Sequence, residues 1–271
     1  MNIYGIDTDQ FHPITDPNAV RDWLRQQNSG RNSGFVIVRL GYSSLSGNGG
    51  LILDSQARNT LTWCNRLGVP CGAYVYCYDA TPAASRLTMQ QAIEAVRDFR
   101  LDYPIVYDME YGTTGNPPTV YRYNDVANKA NNTAMIQAAM QTVEQAGYYA
   151  MVYCSRDFFL YFTELSQLTA YDKWEAAYVS TDTDQIENGI WQYSSTGTVP
   201  GIEGDVDLDV AYKDYPAIIK AAGLNRSDDF PTLYGVEVNR ITRGDFEAVQ
   251  AALLPVIRER QLEDYYSTWH D

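Results

Sequence analysis

The chain has 271 residues, with 34 acidic and 20 basic side chains and a formal net charge of −14. Such a charge repels nucleic acids and anionic membranes, which argues against electrostatic capture of a polyanion as the basis of function. The length suits one large domain, or a domain of about 200–225 residues with a small addition, and the 22 Tyr and 5 Trp are rings suited to carbohydrate or peptide clefts as well as to the core.

Strand and helix signals alternate from the amino terminus to about residue 222. Short apolar runs predict strands, and 3.6-residue patterns that begin at a capping residue predict helices. The predicted strands cover residues 2–7, 35–41, 71–78, 105–110, 148–154, 174–179, 190–193 and 205–209. Helices are predicted from Asp16, from Asp54 to Leu67, from Thr81 or Thr88, over 121–146, irregularly over 158–168, and over 215–222. This alternation predicts an α/β fold in which parallel strands, joined by crossover helices, form a (β/α) barrel.

A polar stretch, residues 225–231, ends in Pro231 and predicts a linker. We therefore divide the chain into a barrel over residues 1–224, the linker, and a small carboxyl-terminal strand-helix segment over residues 232–271. About 40 residues bury too little surface for an independent core. We expect this segment to pack on the barrel or to mediate self-association, and we find no site chemistry in it.

The first residues show neither the basic nor the apolar region of a signal peptide, and no run of about 18 apolar residues predicts a membrane span. The expectation is a protein made in the cytosol. Four cysteines lack metal-ligand spacing and are interpreted as small buried side chains, and there are only two histidines. A His-dependent triad or zinc site is therefore poorly supplied, and we expect no metal or cofactor. Carboxylates remain as the available catalytic groups.

Two acids end the predicted strand over residues 105–110. Asp108 and Glu110 are two residues apart, so their side chains share one face while Tyr107 and Met109 take the other. Burial or the neighbouring acid then suppresses ionisation of one carboxyl, which can serve as a general acid. The alternative interpretation is a pair of ordinary surface acids at a solvated strand end.

Two further acids occupy comparable positions, because Asp7 ends the first predicted strand and Asp207 lies in the last. Catalytic residues of such barrels lie at the carboxyl ends of strands. Together with Asp108 and Glu110, these acids predict a cleft lined by carboxylates.

Several motifs in order resemble the family 25 glycoside hydrolases, the N-acetylmuramidase lysozymes. The matching motifs are Gly5-Ile6-Asp7, residues 35–39 with Gly41-Tyr42, residues 72–76, Asp108-Met109-Glu110, and residues 191–197, 199–202 and 206–209. The chain departs from the family at Thr8-Asp9, where Val-Ser is usual, and at Asp209, where Asn is frequent.

The resemblance implies an irregular, flattened β/α barrel that hydrolyses the β-1,4 bond between N-acetylmuramic acid and N-acetylglucosamine in the glycan strands of peptidoglycan. It implies Glu110 as the general acid and Asp7, Asp108 and Asp207 as the rest of the acidic cluster. The second carboxylate is either a direct nucleophile or, as Asp108, a support for the substrate's own acetamido group; the sequence leaves both open. Action on the cell wall is expected, after release or export by another route.

Substrate contacts are predicted for aromatic residues near strand ends, with core packing as the alternative for each. These candidates are Tyr74, Tyr76, Tyr153, Trp174, Tyr178, Trp191 and Tyr193. Arg39, on a buried strand, is predicted to pair with one of the acids, with substrate contact as its second role. Two other functions stay open: a chitinase-like or endo-N-acetylglucosaminidase-like glycosidase, which also ends a strand in Asp-x-Glu, and a catalytically silent glycan-binding barrel.

Overall fold

The computed structural model describes residues 2–30, 33–111, 113–114, 120–121, 126–182, 185–227, 248 and 251–252. The chain divides into two compact units, Met1–Pro231 and Thr232–Asp271. The elements described below belong to the first unit. Apart from residues 248, 251 and 252, which are helical, the predicted strand-helix segment lies outside the described residues, as do residues 228–231 of the predicted linker.

Strands and helices alternate along the first unit. Its described strands are β1 (Ile3–Thr8), β2 (Phe35–Ser43), β3 (Leu51–Leu53), β4 (Cys71–Tyr76), β5 (Ile105–Asp108), β6 (Thr113–Thr114), β7 (Val120–Tyr121), β8 (Ala150–Ser155), β9 (Asp172–Ala176), β10 (Ile190–Gly197) and β11 (Val206–Ala211). Its described α-helices are α1 (Pro17–Gln27), α2 (Ala57–Leu67), α3 (Pro82–Val96), α4 (Lys129–Gln145), α5 (Arg156–Phe162) and α6 (Tyr215–Ala221). Short 3₁₀ turns cover Val126–Asn128 and Leu165–Gln167.

Eight strands close into a barrel, which confirms the predicted fold. Their order is β1-β11-β10-β9-β8-β5-β4-β2, and β2 pairs back with β1. Strand β3 extends this sheet as the second strand of a hairpin with β2, and the sequence analysis missed it. Strands β6 and β7 form a separate pair.

The expectation of parallel strands throughout is wrong for β11. It runs antiparallel to both β1 and β10, because residues 198–205 connect it to β10 without a crossover helix. The amino end of β11 therefore lies at the rim where the parallel strands end, and Asp207 pairs directly with Asp7.

Two apolar cores occupy the two faces of the barrel wall. The outer core packs helices on the sheet and includes Ile6, Val36 and Tyr107. The inner core fills the barrel interior and includes Ile3, Phe35 and Tyr103. The rings of Phe35 and Tyr103 stack with their centroids 4.4 Å apart. Gly5 permits this packing, since a Cβ there would lie 2.5 Å from the Phe35 ring. All four cysteines are buried, as predicted, and none of them forms a disulfide in the part of the chain that the structure describes.

Helix boundaries follow the capping signals in some helices and depart from them in others. Asp16 caps α1 by accepting the amides of Asn18 and Ala19, as predicted. The predicted capping of α2 by Asp54 is wrong, because the Asp54 carboxylate binds Arg39 and the helix begins only at Ala57. Helix α4 begins at Lys129 rather than near Tyr121, which belongs to β7.

The described part of the predicted linker, residues 225–227, packs on the barrel. The buried Asn225 amide donates to the carbonyls of Leu101 and Tyr103, at 3.1 and 3.0 Å, and its oxygen accepts the Tyr149 amide at 2.7 Å. Within the residues that the structure describes, no helix is long and apolar enough to cross a membrane.

Candidate active site

The carboxyl ends of the parallel strands and the amino end of β11 surround a cavity of about 150 Å³. Its lining is polar and acidic and comes from most strands of the barrel. The lining residues are Asp7, Arg39, Tyr74, Tyr76, Asp108, Glu110, Tyr153, Trp174, Gln192 and Asp207. The structure therefore brings together the four acids that the sequence analysis selected from distant parts of the chain.

Strand alternation explains why the acids point inward. On β1, Ile3 and Asp7 face the barrel interior, while Ile6 packs in the outer core. On β5, Asp108 faces inward and Tyr107 outward. Strand β5 ends at Asp108, so Glu110 stands just beyond the strand and remains on the same side.

Asp7 and Asp108 are almost fully buried. Burial raises the pKa of Asp7 well above its usual range, and the neighbouring carboxyls of Asp209 and Asp207 raise it further. Burial also raises the pKa of Asp108, followed by the nearby Glu110 carboxyl, and the Arg39 charge opposes the rise. The Oδ1 atom of Asp108 is buried without a hydrogen-bond partner among the described residues.

Glu110 and Asp207 line the same cavity and are more accessible than Asp7 and Asp108. Burial raises the pKa of Glu110, the Asp207 carboxyl adds to the rise, and contact with the Tyr153 hydroxyl opposes it. Burial raises the pKa of Asp207 to about 6, with His12 opposing and Asp9 adding to the shift. The site thus holds carboxyls that keep protons closer to neutral pH than ordinary surface acids do.

Asp209, one of the departures from the family pattern, lies behind Asp7. It is fully buried, and its Oδ1 accepts the Trp174 indole N–H at 2.8 Å. Its Oδ2 is buried without a hydrogen-bond partner among the described residues. Burial and the Asp207 carboxyl raise its pKa, so Asp209 adds a fifth carboxyl to the cluster.

Arg39 pairs with two acids outside the predicted cluster. Its Nη1 lies 3.0 Å from Asp9 Oδ2 and its Nε lies 2.7 Å from Asp54 Oδ2. Asp9, the second departure from the family pattern, also accepts the amides of Phe11 and His12 at 2.8 and 3.0 Å. Among the described ion pairs, Arg39 therefore binds Asp9 and Asp54 rather than an acid of the predicted cluster, and these partners orient the guanidinium at the cavity edge.

The aromatic candidates divide into three groups. Tyr74, Tyr76, Tyr153 and Trp174 line the cavity, although Trp174 is 1% exposed and packs edge-on against Tyr153 and Tyr74. Tyr178 reaches the cavity wall through Gln192, to which its hydroxyl donates at 2.8 Å. Trp191 and Tyr193 are outside the cavity lining, and the Trp191 indole donates to the Ala177 carbonyl at 2.8 Å.

Gln192 is the lining residue that the sequence analysis missed. It is 3% exposed, and its Nε2 donates to Asp7 Oδ2 at 2.7 Å. Strand alternation contained the signal, since Gln192 shares a face with the inward Ile190 and lies between the two aromatic residues that drew attention. Its amide is the one polar group of β10 that reaches the cavity lining.

The model for Glycosyl hydrolases family 25 matches residues 22–202. No curated protein matches the chain. The modular autolysin LytC from Streptococcus pneumoniae is similar, with 28% identity and a TM-score of 0.64 over 78% of this chain and 47% of that one. This chain thus spans about half the length of that relative.

Two further solved structures share the fold at lower identity. A bacterial lysozyme from Streptomyces coelicolor has 19% identity and a TM-score of 0.61, over 83% of this chain and 98% of that one. The catalytic domain of endolysin ply40, from bacteriophage P40 of Listeria monocytogenes, has 16% identity and a TM-score of 0.59, over 81% and 98%.

Proposed function

The chain belongs to family 25 of the glycosyl hydrolases, and on that premise we propose that it cleaves peptidoglycan between N-acetylmuramic acid and N-acetylglucosamine, with Glu110 as the general acid. The autolysin at 28% identity has also been solved with a synthetic peptidoglycan ligand, which supports the substrate class. The site of action in this proposal is the cell wall.

One observation carries the proposal. Asp7, Asp108, Glu110 and Asp207 line a single cavity, and the pKa of each carboxyl is raised, first of all by burial. Glycosidases cleave with a pair of carboxyl groups, one of which must hold a proton near neutral pH. Glu110 suits that role, because it lines the cavity and is partly exposed, so a glycosidic oxygen can reach it.

The buried Asp108 suits a supporting role for the substrate's acetamido group. Its Oδ1 has no hydrogen-bond partner among the described residues, and an unsatisfied buried acceptor is costly. The acetamido N–H of a bound N-acetylmuramic acid supplies the missing donor. In this mechanism the acetamido oxygen attacks the anomeric carbon while Glu110 protonates the leaving oxygen, so no protein nucleophile is needed.

The products test the bond that is cleaved. Purified cell walls are digested, and the new reducing ends are identified by mass analysis after borohydride reduction. We expect reduced muramic acid and no new reduced glucosamine. New reducing ends on glucosamine would show the endo-N-acetylglucosaminidase activity instead, and no new reducing ends would show a silent binding barrel.

De-N-acetylated glycan strands test the acetamido mechanism. If the acetamido group is the nucleophile, we expect its removal to lower kcat/KM by at least about 10³-fold, since the first bond-forming step is lost. Re-acetylation of the same strands is the matched control and should restore the rate. Equal rates on both substrates would contradict acetamido assistance and favour a carboxylate nucleophile.

A further inference from the structure

Gln192 connects three members of the site through its side-chain amide. Its Oε1 accepts the hydroxyls of Tyr153 at 2.9 Å and Tyr178 at 2.8 Å, and its Nε2 donates to Asp7 Oδ2 at 2.7 Å. Burial raises the pKa of both tyrosines, that of Tyr178 to about 12. Both hydroxyls therefore keep their protons at neutral pH and can donate them to the amide oxygen.

The two hydroxyls fix the direction of the amide. With Oε1 between two O–H donors, Nε2 is the end that faces Asp7. The reversed amide would set its oxygen against the Asp7 carboxylate, where two acceptors repel. A donated N–H favours the ionised form of a carboxyl, and Gln192 accordingly opposes the rise in the pKa of Asp7.

Tyr153 extends this connection to Glu110. Its hydroxyl has one proton, which the geometry directs to Gln192, and the same hydroxyl contacts Glu110. A Tyr153 hydroxyl that donates to Glu110 lowers the pKa of that carboxyl. When the proton is donated to Gln192 instead, Glu110 loses that donor and the Tyr153 oxygen can only accept from it. The direction of the bonds, from Glu110 through Tyr153 and Gln192 to Asp7, therefore suits a protonated Glu110 and an ionised Asp7.

We propose that Gln192 is a positioning residue that couples the protonation states of Asp7 and Glu110 through Tyr153, so that Asp7 gives up its proton more readily while Glu110 keeps its own. This inference rests on the proposed function of the same site. When Glu110 gives its proton to the leaving oxygen, the Tyr153 hydroxyl turns to donate to the new carboxylate. Gln192 Oε1 meanwhile still accepts the hydrogen bond from the Tyr178 hydroxyl.

Other charged and titratable groups face the same two carboxyls. Asp7 faces Asp207 and Asp209 of β11, Asp108 of β5 and Tyr74 of β4. The groups around Glu110 are Asp108, Asp207, Tyr76, Tyr78, Cys154 and Tyr178. Two basic side chains also act on the cluster: Arg39 lowers the pKa of Asp108, and His12 lowers that of Asp207. Apart from Tyr178, all of these groups are unchanged in the variants below, so differences between variants report on the coupling.

The test is the pH profile of kcat/KM on cell walls for wild type, Gln192→Leu and Tyr153→Phe. In Gln192→Leu, Asp7 loses its donor and Tyr153 is freed to donate to Glu110. We expect the acid limb to move up and the alkaline limb to move down, each by about half to one pH unit. We also expect kcat to fall by about 10²-fold with little change in KM.

Tyr153→Phe should also move the alkaline limb down, but it should leave the acid limb in place. It removes the oxygen that accepts the Glu110 proton, so Glu110 loses that proton at lower pH, while Gln192 still donates to Asp7. Two matched controls, Gln91→Leu in α3 and Tyr149→Phe below β8, remove an amide and a hydroxyl outside the cavity lining. Both should leave the limbs in place.

Unmoved limbs in Gln192→Leu, or an alkaline limb that moves up in Tyr153→Phe, would overturn the coupling. If Gln192→Leu does not fold, Tyr178→Phe takes its place, because Tyr178 is 56% exposed. It should bring the acid and alkaline limbs of the pH profile together by less than is expected for Gln192→Leu. Unmoved limbs in Tyr178→Phe would also overturn the coupling. Carboxyl ¹³C titration of Asp7 and Glu110 reads the coupling without turnover. If wild type releases no reducing ends from walls, the proposed function fails while this titration still decides the inference.

Discussion

The two ends of the barrel interior use buried carboxylates in opposite ways. At the floor, Asp172 accepts from Tyr215 at 2.7 Å, Tyr149 at 3.2 Å, Lys213 at 3.0 Å and its neighbouring amide at 3.1 Å. At the rim, burial and then the neighbouring carboxyls raise the pKa values of Asp7, Asp108 and Asp209. Asp108 and Asp209 each have an oxygen without a hydrogen-bond partner among the described residues. A satisfied carboxylate stabilises the fold, whereas an unsatisfied one costs stability and is available for chemistry.

The largest expected effect is a loss of activity on substitution of Glu110, which tests the contrast between rim and floor. Glu110→Gln keeps the size of the side chain and removes the proton that the leaving oxygen needs. We expect kcat on cell walls to fall by about 10³-fold, with the unfolding midpoint in urea unchanged or higher, because a carboxyl with a raised pKa is removed. Unchanged wall-lytic activity would contradict the assignment of the general acid.

The matching change at the floor should act on stability instead. Asp172→Ala removes an acceptor from two tyrosines and Lys213, and we expect a loss of about 3 kcal/mol in the free energy of unfolding. Urea unfolding at pH 7 gives this value, and kcat per folded molecule should stay near wild type. A large loss of kcat with unchanged stability would remove the distinction between floor and rim.

Asp209→Asn should stabilise the protein. The substitution removes a fully buried carboxyl that faces Asp7 and Asp207, and the amide oxygen can still accept the Trp174 indole. We expect the free energy of unfolding at pH 7 to rise by about 1 to 2 kcal/mol. Destabilisation of the same size in urea would show that Asp209 acts as a structural acceptor like Asp172.

The raised pKa of Asp207 at the rim predicts the direction in which the free energy of unfolding changes with pH. The pKa of Asp207 rises from 3.8 to about 6 on folding, so the folded state binds more protons between these values. The contribution of Asp207 is therefore favourable below about pH 4 and is lost as pH rises to about 6, by an amount of the order of 1 kcal/mol. Urea unfolding between pH 4 and 7 should show a shallower decline for Asp207→Asn than for wild type, and parallel curves would contradict this.

The smallest expected effect tests whether the several donors to the Asp172 carboxylate at the floor are redundant. Tyr149→Phe removes the longest of the hydroxyl contacts of Asp172 and leaves Tyr215 and Lys213 in place. We expect a loss of about 0.5 to 1 kcal/mol in urea unfolding and no change in kcat. A loss as large as that of Asp172→Ala would show that Tyr149 alone holds the floor carboxylate.

The parts of the site that followed from local periodicity could be predicted from the sequence. The two-residue spacing of Asp108 and Glu110 placed both on one side of β5, and both line the cavity. The direction of β11 could not be predicted in this way, because it depends on how residues 198–205 connect two strands. Asp207 nevertheless reaches the same rim, since an antiparallel strand begins where its parallel neighbours end.

Local sequence patterns could not predict the side-chain partners that depend on tertiary packing. Asp54 has the sequence context of a helix cap, and the ion pair with Arg39 takes its carboxylate instead. Trp191 and Tyr193 are the residue types expected in a sugar site, yet strand alternation turns Gln192 inward between them. Resemblance to a family identified the acids, while only the three-dimensional contacts identified the amide that joins them.

Closure of the barrel by β1 and β11 has a consequence for folding. Asp7 and Asp207 become neighbours only when strands separated by some 200 residues pair with each other. Contacts between such distant segments are slow to form because a long loop must be closed. Hydrolytic activity should accordingly be the last property that a refolding chain regains. Its recovery should coincide with the pairing of the first and last strands rather than with the appearance of helical content.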